Sequence, residues 1–229
     1  MVGGKSLVKR TYDFATSANS VERVVLSTDS FEVFSECVPE ILSKEEFGSI
    51  PKGTVKQVKP NEFLHVRRDS DAHPMAKTIS GVLDFLETVK GDDSWGKDLL
   101  LLQPTSPFRN PQELSEMVSS YRNSDFKSSA SGKLLESPHP EKSFEIFENA
   151  RIKVTPEILG KLESPRQILK KLYVFDGAYY LTSVSHILDK RSLISDETQL
   201  FSRTGWGTLN IDNTEDLELA NYLALKFSI

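Results

Sequence analysis

Apolar positions recur along this chain with two alternating periods. Leu7, Val8, Tyr12, Phe14 and Ala15 fall roughly three to four apart, which predicts an amphipathic helix ending near Asn19. Val21 to Ser27 is short, β-branched and apolar, and reads as a strand. It stops at Thr28-Asp29-Ser30, where a Ser or Asp side chain can cap a helix over Phe31 to Cys37. From Pro39 to Asn61 the chain turns polar, with Lys, Glu, Gly and Pro. Residues 39–61 are read as an excursion holding no regular core element, after which Phe63 to Arg68 resumes an extended run. Within Ala76 to Lys90, the residues Ile79, Val82, Leu83, Phe85 and Leu86 recur at helical spacing, and Gly91-Asp92-Asp93 closes that helix.

The strongest strand is Asp98 to Leu102, a continuous apolar run of the kind buried on both faces of a parallel sheet. Two prolines in Gln103-Pro104-Thr105-Ser106-Pro107 end its pairing, and Pro111 starts the next helix. Later strands are expected at Leu172 to Phe175, at Ala178 to Leu181 and near Thr208 to Ile211. Asn213 then caps a final helix with Asp216 three positions on. This alternation predicts an α/β fold with a mainly parallel twisted sheet and helices on both faces. Ligands in such sheets bind beyond the carboxyl ends of the strands, so the loops Thr28 to Ser30 and Gln103 to Arg109 matter most.

Composition narrows the function classes. The 229 residues suit a single domain, and 28 Lys+Arg against 33 Asp+Glu give a net charge of -5, which removes the basic field that non-specific nucleic-acid binding needs. The single Cys37 forms no internal disulfide, and no apolar run approaches the ~20 residues of a membrane span or follows a basic start as a secretion signal does. A reducing, cytoplasmic setting without membrane or nucleic-acid partners is therefore expected. His65, His73 and His186 lack the mutual spacing of a metal site, and Cys37 falls inside an apolar helix pattern, so packing or surface roles are expected for them.

Several segments in order carry a family likeness: Gly3 to Leu7, Arg23 to Asp29, Thr78 to Val82, Leu101 to Arg109, His139 to Lys142, Pro165 to Gln167, Gly177 to Tyr180 and Ile211-Asp212. Among them Leu-Leu-Gln-Pro-Thr-Ser-Pro-Phe-Arg is the specific string. On these residues the chain resembles the CMP-sialic acid synthetases, N-acylneuraminate cytidylyltransferases with a nucleotidyltransferase, Rossmann-like fold. The resemblance implies attack by the anomeric hydroxyl of a nine-carbon acidic sugar on the α-phosphate of CTP, with magnesium and release of pyrophosphate, in a homodimer. It places Arg67, Ala76 and Thr78 at the base, and Gln103, Lys142 and Arg166 at the sugar and phosphates. Asp176 and Gly177 fall in the substrate pocket, with residues 134–200 as the sugar-binding and dimerising part. Lys142 and Asp212 become the catalytic candidates, and Asp212 the metal ligand.

The departures from that pattern all touch charge. Family members open with a strand and a glycine-rich phosphate loop, whereas Gly3-Gly4-Lys5 matches the later Gly-Gly-Lys that begins the first helix. Asn210 stands where the resemblance calls for the first aspartate of a metal pair, Val174 where it calls for an arginine, and Asp176 where it calls for an asparagine. An amide for a carboxylate weakens a magnesium site, and an added carboxylate repels an acidic sugar. Simpler readings stand beside these: a proline-stiffened turn at 103–109, an exposed Arg67-Arg68 pair, a loop histidine and a solvated lysine at His139 and Lys142, and a helix cap at Asp212-Asn213. The function expected is therefore CMP-sugar synthesis, or a catalytically impaired relative acting as a binding subunit.

Overall fold

Ser6 begins the first helix: its hydroxyl accepts from Lys9 N, and α1 (Leu7–Ser17) buries Thr11, Tyr12 and Ala15. The computed structural model describes residues 1–73 and 75–227. Next come β1 (Val24–Thr28) and α2 (Phe31–Cys37), which Ser30 caps as its sequence position suggests. The polar excursion is more ordered than its composition implies. It holds α3 (Lys44–Ser49), closed by a reciprocal capping box between Ser43 and Glu46, and β2 (Thr54–Lys59). The expectation of no regular core element at 39–61 is thus corrected: Phe47 of α3 joins the core, and β2 is a half-exposed edge strand whose polar side chains hide it from a hydrophobicity pattern.

The chain continues through β3 (Glu62–Val66), α4 (Asp69–Ala72), α5 (Thr78–Thr88), β4 (Asp98–Leu101) and α6 (Pro111–Arg122). After β5 (Ser128–Leu134) an irregular arm carries a small hairpin, β6 (Ile146–Phe147) and β7 (Arg151–Ile152), then α7 (Pro156–Glu163). The chain closes with β8 (Tyr173–Ser183), α8 (Val184–Lys190), β9 (Thr198–Ser202) and α9 (Thr214–Phe227). The two strands expected around Gly177 are one 11-residue strand, β8. Thr208 to Ile211 is not a strand; a 3-10 turn over Gly205–Thr208 precedes an irregular stretch. β5 and β9 are strands without the apolar runs that mark β4, since β5 is built on small residues such as Ser128, Ser129, Ala130 and Gly132.

The architecture is α/β, but the sheet is mixed rather than mainly parallel. Strand orders are β1-β3-β2 and β4-β8-β5-β9, with only β1–β3 and β5–β9 parallel among the main pairings; β8 runs antiparallel between β4 and β5. The two half-sheets lie side by side with β1 and β4 as inner edges. At their starts Arg23 donates to Ser94 Oγ (3.1 Å) and stacks over Trp95, whose ring meets Phe63 at 4.7 Å. Helices bridge both halves. On one face α1 packs Tyr12 against Leu26 and Phe14 near Leu100 and Leu102; on the other α5 and α8 enclose Val25 together with Leu99 and Leu101. No helix among the described residues is long and apolar enough to cross a membrane.

Candidate active site

Beyond the carboxyl end of β4 the chain bends sharply, with Ser106 N bonding back to Gln103 O at 3.2 Å. Arg109 fastens the bend. Its guanidinium donates to Ala178 O (3.1 Å), to Thr11 Oγ1 (3.0 Å) and to Gln103 O (2.5 Å), tying β8, α1 and the loop together. Burial pulls Arg109 down to about 10, still protonated at neutral pH. Ser106 is fully buried and donates to Asp176 O at 2.6 Å, with Asn210 Oδ1 at 3.2 Å. Ile211 N bonds Thr105 O (2.8 Å), which lays the Asn210–Asp212 segment along the same loop.

Gly177 completes this corner. Its φ is +74°, and a Cβ there would stand 2.7 Å from Gln103 Oε1 and 3.0 Å from Ser106 Oγ. Gln103, Gly177, Asn210 and Asp212 are thereby gathered at one end of the sheet. Asp176 is not in the substrate space: its carboxylate, wholly buried, takes Ser131 Oγ, Ala178 N and Arg203 Nη1 (2.8 Å). The repulsion of an acidic sugar expected from Asp176 is corrected on this geometry, because Arg203 neutralises the charge inside the fold. Arg203 also binds Glu113 (2.9 Å) and Phe108 O (2.9 Å). Burial opposes its charge, yet Asp176 and Glu113 hold it above the ordinary arginine value. Nothing in the sequence around Arg203 signals this, since the partners lie 27 and 90 positions away.

The base-side candidates form a second group at the start of α5. Arg67 donates to Asp29 Oδ1 (2.7 Å), and its stem lies along Gly81, one helical turn from Thr78. Ala76 lines an open cavity of about 430 Å³ between α5 and Arg191. This group follows β3 and the Gln103 group follows β4, strands whose starts are held together through Arg23, so both lie toward the same end of the molecule.

Lys142 and Arg166 belong to the arm between β5 and β8. Lys142 Nζ donates to Leu162 O (3.1 Å) and Ser164 O (2.6 Å), the free carbonyls ending α7, and Arg166 is exposed. His139 is buried, not a solvent-facing loop histidine; its ring takes Glu141 N and meets Lys170 O at 3.0 Å. Among the described residues no hydrogen bond or ion pair joins Lys142 or Arg166 to Gln103, although the arm leaves and re-enters the sheet at the end where Gln103 stands.

Asp212 is partly engaged. Asn210 Nδ2 donates to its Oδ1 at 2.7 Å, while Asp212 N and Asn213 N donate to Asp216 Oδ2 and Asp216 N returns to Asn213 Oδ1. The cap reading of Asn213 and Asp216 therefore holds. Among the described residues no group of three or more His, Cys, Asp or Glu could hold a metal. The donors present fit a magnesium ion that takes one carboxylate from the protein and its other ligands from nucleotide phosphates and water.

The fold is shared with enzymes that make activated cytidine compounds. CMP:2-keto-3-deoxy-manno-octonic acid synthetase in complex with CTP superposes with a TM-score of 0.56 at 13% identity, over 99% of this chain and 90% of that one. The 4-diphosphocytidyl-2C-methyl-D-erythritol synthase of Anaerococcus prevotii gives 0.55 at 13%, over 98% and 88%. In sequence the chain is 24% identical over 225 residues to CMP-N,N'-diacetyllegionaminic acid synthase of Legionella pneumophila, covering 97% of this chain and 87% of the relative. No protein-family profile matches the chain. The sequence relative and the shared fold support the CMP-sugar synthetase, or cytidylyltransferase, family.

Proposed function

We propose that this chain handles CTP and a nine-carbon acidic sugar in the manner of a CMP-sugar synthetase, as a homodimer in the cytoplasm. The observation that carries the reading is the convergence of Gln103, Gly177, Asn210 and Asp212 beyond β4, in a chain akin to CMP-sugar synthetases along nearly its whole length. In the reaction the anomeric oxygen forms a bond to the α-phosphorus, the bond to the pyrophosphate oxygen breaks, and the hydroxyl proton is lost to a base or water. Asp212 would be the protein oxygen that holds a magnesium ion, which when bound would neutralise charge on the phosphates. Gln103 orients the sugar, Arg67, Ala76 and Thr78 border the base, and Arg166 and Lys142 meet the anionic groups. To do so Lys142 releases the carbonyls of Leu162 and Ser164.

A second reading, a binding subunit with impaired chemistry, is favoured by the amide of Asn210, which occupies a carboxylate oxygen that magnesium needs. These 229 residues alone are expected to bind CTP weakly and to release pyrophosphate about a thousandfold more slowly than a competent synthetase, equivalent to ~4 kcal/mol of transition-state stabilisation. Calorimetric titration with CTP, with and without magnesium, tests both readings. Asn210→Asp tightens metal-dependent binding at least tenfold if the site is competent and changes nothing if it is vestigial. Tight metal-dependent binding by the unsubstituted chain would show that Asn210 serves as well as a carboxylate.

The arm supports the dimer reading. Phe144, Ile146, Phe147, Ile152 and Ile168 are exposed on it, Ile146 and Ile168 each at 71%. So much apolar surface on one segment is normally covered by a partner. Sedimentation velocity is expected to give a dimer, and Ile146→Asp with Ile168→Asp a monomer that keeps its circular dichroism.

A further inference from the structure

A second polar constellation lies outside the site just described. In the parallel pair β1–β3, Ser27 stands directly opposite His65, and its Oγ is 2.9 Å from His65 Nδ1. From α5, Asp84 Oδ2 lies 3.2 Å from His65 Nε2, a charge contact rather than an aligned hydrogen bond, and neither buried atom has a hydrogen-bond partner elsewhere. His65 is 0% exposed and the Asp84 side chain 2%, whereas Ser27 is exposed. Arg68 pairs with the other Asp84 oxygen, which leaves Oδ2 turned toward the ring. With the proton on Nε2, facing Asp84, Nδ1 is free to accept from the Ser27 hydroxyl. The order is nucleophile, base and orienting carboxylate, each within reach of the next.

We propose that Ser27, His65 and Asp84 form a nucleophilic serine centre that cleaves small carboxylic esters. Ser27 Oγ bonds to the acyl carbon while its proton passes to His65 Nδ1. The tetrahedral adduct collapses, the bond to the alcohol oxygen breaks, and that oxygen takes the proton from His65. Water, deprotonated in turn by His65, then releases the acyl group as a carboxylic acid and restores Ser27.

Three further features suit this chemistry. The bonds Val24 N to Asn61 O and Arg67 N to Thr28 O show that even-numbered residues of β1 pair with β3. The Ser27 N–H therefore points to the unpaired edge, where it can meet an oxyanion. One rung further along the same face, Arg67 and Asp29 form an ion pair at 2.7 Å, and the Arg67 charge is felt at His65. Burial first, aided by the Arg67 and Arg68 charges and opposed by Asp84, holds His65 below the ordinary histidine value, so the ring is neutral at pH 7 and has a nitrogen free to accept a proton. The Phe85 ring stands edge-on to it at 5.8 Å.

The experiment treats the full chain with a fluorophosphonate and, separately, with p-nitrophenyl acetate. The expected result is one covalent adduct per chain, mapped by mass spectrometry to Ser27, and ester turnover that falls at least tenfold in Ser27→Ala while circular dichroism is unchanged. No adduct, an adduct on another residue, or undiminished turnover by Ser27→Ala would overturn the proposal. CTP and sugar are absent from the assay, so the outcome is independent of the cytidylyl reading.

Discussion

Arg203→Met is expected to lower the unfolding midpoint by roughly 10 °C. The side chains of Arg203 and Asp176 are 1% and 0% exposed, 2.8 Å apart, and Arg203 also serves Glu113 and Phe108 O. Removing one member of a buried pair leaves the other charge in a medium that solvates it poorly, a loss of about 3–5 kcal/mol. At ~2–4 °C per kcal/mol for a chain of this size, that gives the expected fall. Arg203→Met combined with Asp176→Asn removes both charges and is expected to restore part of the loss, since Ser131 Oγ and Ala178 N keep an acceptor at position 176. Scanning calorimetry of the two variants checks this. A double variant no more stable than Arg203→Met would show that the arginine acts through its packing on the Tyr179 ring, 5.1 Å from the guanidinium carbon, rather than through charge.

That ion pair also explains what the sequence could and could not disclose. β4 was legible because four apolar residues in a row, stopped by two prolines, have one economical reading in an α/β chain, and the structure puts its strand and loop there. α5 was legible from period alone, and α2 and the final helix from their capping residues. β2 was not, since an edge strand of Thr, Lys and Gln buries too little to leave an apolar trace. The direction of β8 was hidden too: side-chain alternation is the same for a strand running either way, and only pairing distinguishes them. For the site, the family resemblance offered Gln103, Gly177 and Asp212 as candidates, and the fold brings them to one corner. The resemblance misjudged Asp176, because the charge that answers it arrives from β9's far end. Whether a carboxylate faces a ligand or a buried arginine is a property of three-dimensional neighbours.

Gly177→Ala is expected to cost about 3 kcal/mol and to weaken sugar or nucleotide binding more than tenfold. Two effects add. An L-residue at φ +74° pays about 1–2 kcal/mol for the left-handed conformation. Beyond that, the new methyl would stand 2.7 Å from Gln103 Oε1 and 3.0 Å from Ser106 Oγ, and crowding of this kind typically costs about 1–3 kcal/mol. Gly91→Ala separates the two, because Gly91 has φ +88° and nothing within 4 Å of its would-be Cβ; it should show the conformational cost alone. Ser106 cannot yield easily, being buried and bonded to Asp176 O, so Gln103 must turn away. On the role proposed for Gln103, an orienting amide moved by even one ångström no longer aligns a substrate, and binding is expected to suffer beyond the loss of stability. Calorimetric midpoints of both variants, with ligand titrations at a temperature where each is folded, test the argument. If Gly177→Ala falls no further than Gly91→Ala and binds unchanged, Gln103 moves freely in that corner and does not set the geometry of the site.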